Sequence, residues 1–554
     1  MIEAAKERAG WSGECISTGQ RLLRTTLLAL YFLCILGSLC ISLKGWVNVY
    51  DEGLAVLNGV RVLRGEIPYR DFWTVYPPGQ SYALAAVYHL LGVSLLAARA
   101  YDTLVRFALV IGVYLVGRRI ATPAAALVAG AFSALWLGTV GFYGYGAFPA
   151  LAFALFATWA LIAFAGSEQT GWLVLAGALT GLTALWRVDI AVYLGIALTL
   201  SLLLLAILSY GSRGPATWLA RTLHTVGILI AMAAVLSAPA YAYLALVGGP
   251  EPIWQQLVVF PSVVLGSVRR LPYPKAVPDV ALFLAEPLEY VRWARFVFPP
   301  LVYGASLVYL GWSLVRTRRV DRDARIRLIG GTAVTLFGLL VFAQALSRYD
   351  WIHVLPSTIW ALLATGFLVS RVPVTSWKRW PVAVSLSALL GAILITYAAP
   401  SVHDPETILE YASPMGCHSS LERASCAVVQ PDQERAVAFV RARTDEDEPI
   451  FVGNARHDQI LINDVMFYFL AARPCPTRYH ELHPGVATTL PVQKEIVEEI
   501  QAGQVAWVVT VEWPPSTEPN GSAISSGIYY LDEFIRANYR PADEFGRYIV
   551  WRKR

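Results

Sequence analysis

Residues 50–78 read YDEGLAVLNGVRVLRGEIPYRDFWTVYPP, and the reading of the chain turns on them. They follow the first strongly apolar segment, 25–43, so they are expected just outside a membrane. Two acids open the stretch, Asp51 and Glu52. From Gly53 to Arg64, apolar Leu54, Val56, Leu57, Val60 and Leu63 recur near helical spacing, which predicts a helix lying on a surface. The chain then turns through Gly65 and Pro68, offers a third carboxylate at Asp71 and closes on Tyr76-Pro77-Pro78. Tyr69, Phe72, Trp73 and Tyr76 are interleaved, the aromatic pattern of a membrane interface. Three carboxylates beside lipid point to chemistry at a bilayer surface.

Working outward, the 554 residues are 56% hydrophobic and only 15% charged, where a soluble chain would be about a quarter charged. Apolar runs predict about eleven crossings, at 25–43, 100–117, 122–140, 147–165, 171–187, 188–208, 222–247, 296–316, 328–346, 352–369 and 380–399. Residues 1–24 form a basic tail with Lys6, Arg8, Arg21 and Arg24, so the N-terminus is expected in the cytoplasm. The arginine-rich loop 316–327 marks the same side. The apolar but short segment 79–91 is therefore read as a helix on the outer face, because a crossing there would invert every later loop. The span 100–117 contains Asp102 and Arg106, whose spacing allows them to pair. Large outer loops are expected at 44–99 and 248–295; the second carries an amphipathic candidate, Trp254 to Val268.

Near Ser401 the composition changes, ending a membrane module of 25–400. Short apolar runs at 450–452, 505–511 and 548–551 alternate with helical patterns at 433–443, 492–501 and 529–538. This predicts an extracytoplasmic α/β domain over 401–554 below an all-α membrane bundle. Cys34 and Cys40 are expected as packing residues in the first span. Cys417 and Cys426 are either a disulfide of an exported domain or free thiols. His457, His480 and His483 are expected to be solvated, with no zinc-ligand spacing around them. The net charge of +5 follows the loop arginines and does not indicate nucleic-acid binding. No Walker pattern or GxGxxG occurs, which gives a nucleotide-sugar donor no support.

The acidic pair, the helix after it and Tyr76-Pro77-Pro78 resemble the first outer loop of the C-type membrane glycosyltransferases, such as the protein O-mannosyltransferases and aminoarabinose lipid A transferases. Those families carry an acidic pair after the first span and a Lys-Pro-Pro or similar motif; the tyrosine here departs from it. The resemblance implies a polyprenyl-phosphate-linked sugar donor, an inverting transfer and Asp51 as the base. Glu52 would orient the acceptor or bind a divalent metal, which is otherwise not indicated. The alternative for both acids is a helix N-terminus, where carboxylates favour the dipole.

Arg187 and Asp189 sit at a span junction, where charge is costly and a functional candidate by default. The resemblance places a basic residue near the carrier phosphate in a similar position, and a guanidinium fork suits phosphate. The other reading is a structural pair. Arg269 and Arg270 could close over the phosphate, or be ordinary headgroup arginines. Arg348, Asp350 and His353 share a loop so short that all three must face one vestibule, with Asp71 and Tyr76 as further substrate-binding candidates. The expectation is an integral glycosyltransferase of the inner (cytoplasmic) membrane, moving a sugar to a lipid, glycan or protein acceptor on its outer face. A secondary transporter would put charges at the bilayer midplane and show repeated halves. A non-enzymatic scaffold would tolerate loss of Asp51.

Overall fold

The computed structural model describes residues 18–139, 143–273, 287–316, 321–371, 419–460 and 462–554. Helices account for almost all of the membrane module: α1 Thr18–Cys40, α2 Asp51–Leu63, α3 Gly79–Leu91, α4 Leu95–Ile120, α5 Pro123–Thr139, α6 Ala147–Ser167, α7 Thr170–Trp186, α8 Val188–Tyr210, α9 Pro215–Gly248, α10 Pro287–Arg316, α11 Arg322–Ala345 and α12 Trp351–Val369. Among the described residues, eight helices are long and apolar enough to cross a membrane, and α5 and α7 are shorter apolar helices. Ten of the expected crossings are thus helices. The eleventh, 380–399, lies outside the described residues, as do the boundary near Ser401, Cys15 and Cys417. The chain is a multi-pass membrane protein.

Segment 79–91 is a helix of 13 residues packed on α2, too short to span. Asp102 and Arg106 pair inside α4 as their spacing predicts, Nε to Oδ2 at 2.5 Å, with Tyr143 under the Arg106 guanidinium at 4.6 Å. Cys34 and Cys40 correct the reading of packing residues: both face outward from the bundle. Cys426 is disulfide-bonded.

After the bundle, a four-stranded sheet forms in the order β1-β2-β4-β3, from β1 Ile450–Asn454, β2 Trp507–Val511, β3 Tyr539–Phe545 and β4 Tyr548–Lys553. β1 and β2 run parallel and are buried along their length, as expected for strands covered on both faces. β4 is antiparallel to both β2 and β3. Helices α13 Pro431–Arg441, α14 Met466–Ala471, α15 Leu490–Ala502 and α16 Tyr530–Asn538 complete the α/β fold. The sequence reading omits β3. Its residues, YRPADEF, are mostly exposed and include Pro541, which an edge strand tolerates.

The expected surface helix α2 is instead an interior element. Leu54, Val56, Leu57 and Val60 are buried, and they share one core with Val437, Val452, Met466 and Val509 of the C-terminal region. Gly53 permits this approach, because a Cβ there would lie 2.6 Å from the Met466 backbone nitrogen. Trp73 and Phe260 join a further core with Phe451, Tyr479 and Ile496. Thus Tyr69, Phe72 and Trp73 lie buried under the α/β domain, not at a lipid interface. The burial of apolar surface on both sides makes α2 the layer that ties the domain to the bundle.

Candidate active site

The local chain explains how α2 begins. Asn48 Oδ1 accepts the backbone N–H groups of Tyr50 at 3.1 Å and Asp51 at 2.8 Å, capping the first turn. Asp51 and Glu52 follow one another on a helix, so their side chains point about 100° apart and meet different surroundings. Glu52 turns inward and is fully buried. Its oxygens accept from Arg99 Nε at 2.7 Å and Nη2 at 2.9 Å, and Oε2 also accepts from the Asn48 N–H at 3.1 Å. Arg99 in turn donates to the carbonyls of Leu43, Gly45 and Trp46. A buried charge pair is tolerable when its remaining hydrogen-bonding groups are met in this way.

Asp51 faces a narrow cleft of about 30 Å³, walled by Asn58, Tyr76, Pro77, Gln80, Tyr145 and Trp186 among others. Trp186 Nε1 donates to Gln80 Oε1 at 3.0 Å, fixing the far wall. The Asp51 carboxylate has no hydrogen-bond partner among the described residues. Burial pushes its pKa from 3.8 up to about 6, against the opposing pull of Arg269, His483 and His353. Such a carboxylate is a stronger base than an ordinary one, which suits proton abstraction near neutral pH. Tyr50 and Tyr76 are held neutral, well above the usual phenol range, by burial and then by the neighbouring acid Glu481.

Of the residues singled out in the sequence, Asp51 and Tyr76 line this cleft, and Arg269 and His353 act electrostatically on Asp51. Arg187 follows Trp186 directly and forks onto Asp189, Nε–Oδ1 at 2.9 Å and Nη2–Oδ2 at 2.6 Å. Arg348 donates to Asp350 at 3.0 Å, and His353 Nδ1 lies 2.6 Å from the same carboxylate. Burial alone would raise the Asp350 pKa, but His353 and Arg348 hold it below the ordinary carboxylate range. Arg348 also grips Glu518 of the C-terminal domain, at 2.8 and 2.6 Å, and donates to the Arg269 carbonyl at 2.9 Å. Arg269 ends a helical run over 250–268 that contains a π-helical stretch, Gln255–Leu265. Its Nε is buried without a hydrogen-bond partner among the described residues.

Two expected site residues lie elsewhere. Asp71 is held by Arg70, with Oδ1 and Oδ2 at 2.8 and 2.7 Å, and Oδ2 caps the Ile67 N–H at 2.8 Å. It does not line the cleft. Arg270 is exposed, one residue past the turn that places Arg269.

The three histidines overturn their expectation, since all are buried. His457 Nδ1 meets Asp532 at 2.7 Å. His480 lies 3.1 Å from Arg61 Nη1, and burial followed by that guanidinium drives its pKa well below 6.5. His483 sits 3.1 Å from the Tyr50 hydroxyl, in contact with Glu481 and ringed by Trp73 and Phe260. The fully buried Glu481 is the acid that sequence reasoning missed. A single His-Glu-Leu-His stretch carries no periodic signal of burial. Among the described residues, no group of three or more His, Cys, Asp or Glu side chains is arranged to hold a metal ion.

Residues 75–260, about a third of the chain, match the family model described as dolichyl-phosphate-mannose-protein mannosyltransferase. No curated protein matches the chain by sequence. Among solved structures, the chain is similar to ArnT from Cupriavidus metallidurans bound to undecaprenyl phosphate, at 14% identity and a TM-score of 0.56, over 95% of this chain and 98% of that one. The apo state of the same protein gives 15% identity and a TM-score of 0.53, over 96% and 98%. At these identities the likeness is one of fold. The chain is thus of the C-type membrane glycosyltransferase fold, as its acidic pair and Tyr76-Pro77-Pro78 led us to expect, with the mannosyltransferase family pattern over residues 75–260.

Proposed function

We propose that the protein transfers a sugar from a polyprenyl-phosphate carrier to an acceptor hydroxyl at the outer face of the cytoplasmic membrane. One observation carries this reading: Asp51 is a carboxylate of raised pKa, free of hydrogen bonds among the described residues, lining a cleft within electrostatic reach of Arg269, while Arg187 acts on Tyr76 in the same lining. The ArnT match, whose structure holds undecaprenyl phosphate, supports the class of carrier.

The chemistry follows from the side chains. The acceptor O–H attacks the anomeric carbon as its proton passes to Asp51, and the bond from that carbon to the phosphate oxygen breaks with its electron pair. Attack opposite the leaving group inverts the anomeric centre. The departing phosphate gains charge, and Arg187 and Arg269 are placed to stabilise it. Arg348, Asp350 and His353, the last within electrostatic reach of Asp51, orient donor or acceptor in this scheme. Glu52 has a structural part in this scheme, because both of its oxygens are already committed to Arg99.

The decisive measurement is transfer from a labelled polyprenyl-phosphate sugar in liposomes. Asp51→Asn should lose about 10²–10⁴-fold in rate while its melting curve stays near wild type. Normal turnover by this variant would remove Asp51 from the mechanism. For the orientation, a reporter active only outside the cytoplasm should work when fused after Arg554 and stay silent at Asp323. The reverse pattern would put the cleft on the wrong face.

A further inference from the structure

We infer a second binding site in the α/β domain: a cleft for an acidic saccharide at the carboxyl ends of β1 and β2. It encloses about 550 Å³ and shares no lining residue with the Asp51 cleft. Asn454 and Val511, the last residues of the two parallel strands, both line it. The crevice beyond the carboxyl ends of parallel strands is where α/β sheets repeatedly hold ligands, because the connecting loops diverge there.

The lining specifies the ligand. Trp513 and Tyr529 offer flat apolar faces with polar edges, and Asn454 and Gln459 offer amides. Two of the lining residues carry buried polar atoms without partners among the described residues: the Trp513 indole N–H and the Asn454 side-chain oxygen. A buried donor and a buried acceptor left unmet are costly, and call for a group that can serve both. A sugar hydroxyl does so, and a sugar's C–H face suits an aromatic ring.

The charges favour a carboxylated sugar. Arg456 is tied to Asp458 by two hydrogen bonds, at 2.7 and 2.6 Å. Arg536 lines the cleft with no ion-pair partner among the described residues. Arg547, outside the lining, lies over the Trp513 ring at 4.7 Å. Two guanidinium groups, Arg456 and Arg536, thus face the single acid in the lining, Glu512. A guanidinium fork is matched by a carboxylate.

This cleft is also connected to the candidate active site. The wall Trp513–Ser516 runs on to Glu518, which grips Arg348. A saccharide bound here therefore abuts the segment that joins the sheet to the vestibule. The binding site itself does not presuppose the transfer reading.

The test is calorimetric titration of the purified full chain in detergent with hexagalacturonate and, separately, maltohexaose. Hexagalacturonate should bind saturably and more tightly than maltohexaose. Arg536→Glu should weaken it by about 10- to 100-fold, the range for losing a hydrogen-bonded charge. Trp513→Phe, which removes only the ring N–H and the larger face, should weaken both sugars. Arg540→Ala, on the exposed edge strand, and Asp51→Asn should leave binding unchanged, so loss of transfer and loss of this site are told apart. No saturation by about 10 mM hexagalacturonate, equal binding of the two sugars, or unaltered binding by Arg536→Glu would each overturn the inference.

Discussion

Arg99 holds both oxygens of Glu52, Nε to Oε1 at 2.7 Å and Nη2 to Oε2 at 2.9 Å, and neither side chain reaches solvent. Removing one partner strands the other charge, at about 3–5 kcal/mol. Glu52→Ala should therefore lower the melting temperature sharply and reduce the yield of folded protein. Asp51→Asn, one residue away, should do neither. Equal melting curves for wild type and Glu52→Ala would mean that the pair is dispensable to folding.

The raised pKa of Asp51 sets a pH dependence. As the base, it must be ionised, so the transfer rate should rise with pH and level off above about 6. Stability runs the other way. The unfolded carboxyl releases its proton near 3.8 and the folded one near 6, so this group's contribution is full below 3.8 and is lost as pH rises through about 6. Asp464, raised by burial to about 6, acts in the same window. The difference in melting temperature between wild type and Asp51→Asn across pH 4–7 isolates the Asp51 share. A rate that is flat from pH 4 to 8 would count against Asp51 as the base.

Arg187 presents a choice between phosphate recognition and a structural pair with Asp189. Arg187→Ala should raise KM for the carrier-linked sugar by about 10- to 100-fold. Arg187→Lys should recover part of that loss, since an ammonium keeps the charge and lacks the planar fork. A lowered melting temperature with unchanged KM would assign Arg187 to structure alone.

The Arg348–Glu518 contact joins bundle and sheet. Single alanine substitutions and the double variant form a cycle whose coupling in thermal stability should be about 1 kcal/mol, given partial exposure. Hydrogen bonding from Arg348 holds the Glu518 carboxyl below 4.5, so its contribution is present above that pH and lost as pH falls through the folded value. A coupling that persists unchanged in strong acid would show that the contact is not ionic.

Ten of the eleven expected crossings are helices, because hydropathy is a local property and a lipid core demands satisfied backbone within each segment. The Asp102–Arg106 pair was legible for the same reason: four residues on a helix place the two side chains together. Position, composition and spacing thus brought out the acidic pair, the short helix over 79–91 and the alternation of strands and helices after residue 419. They could not separate Asp51 from Glu52. Adjacent helical residues diverge by about 100°, and only the packing of α2 between bundle and domain decides which one meets Arg99 and which one the cleft. Nor could they bring His483 to Tyr50, 433 residues apart, or Glu518 to Arg348, 170 apart. Local periodicity carries no record of such contacts. They arise when two distant apolar surfaces are buried against each other, and the polar groups caught between them must find partners.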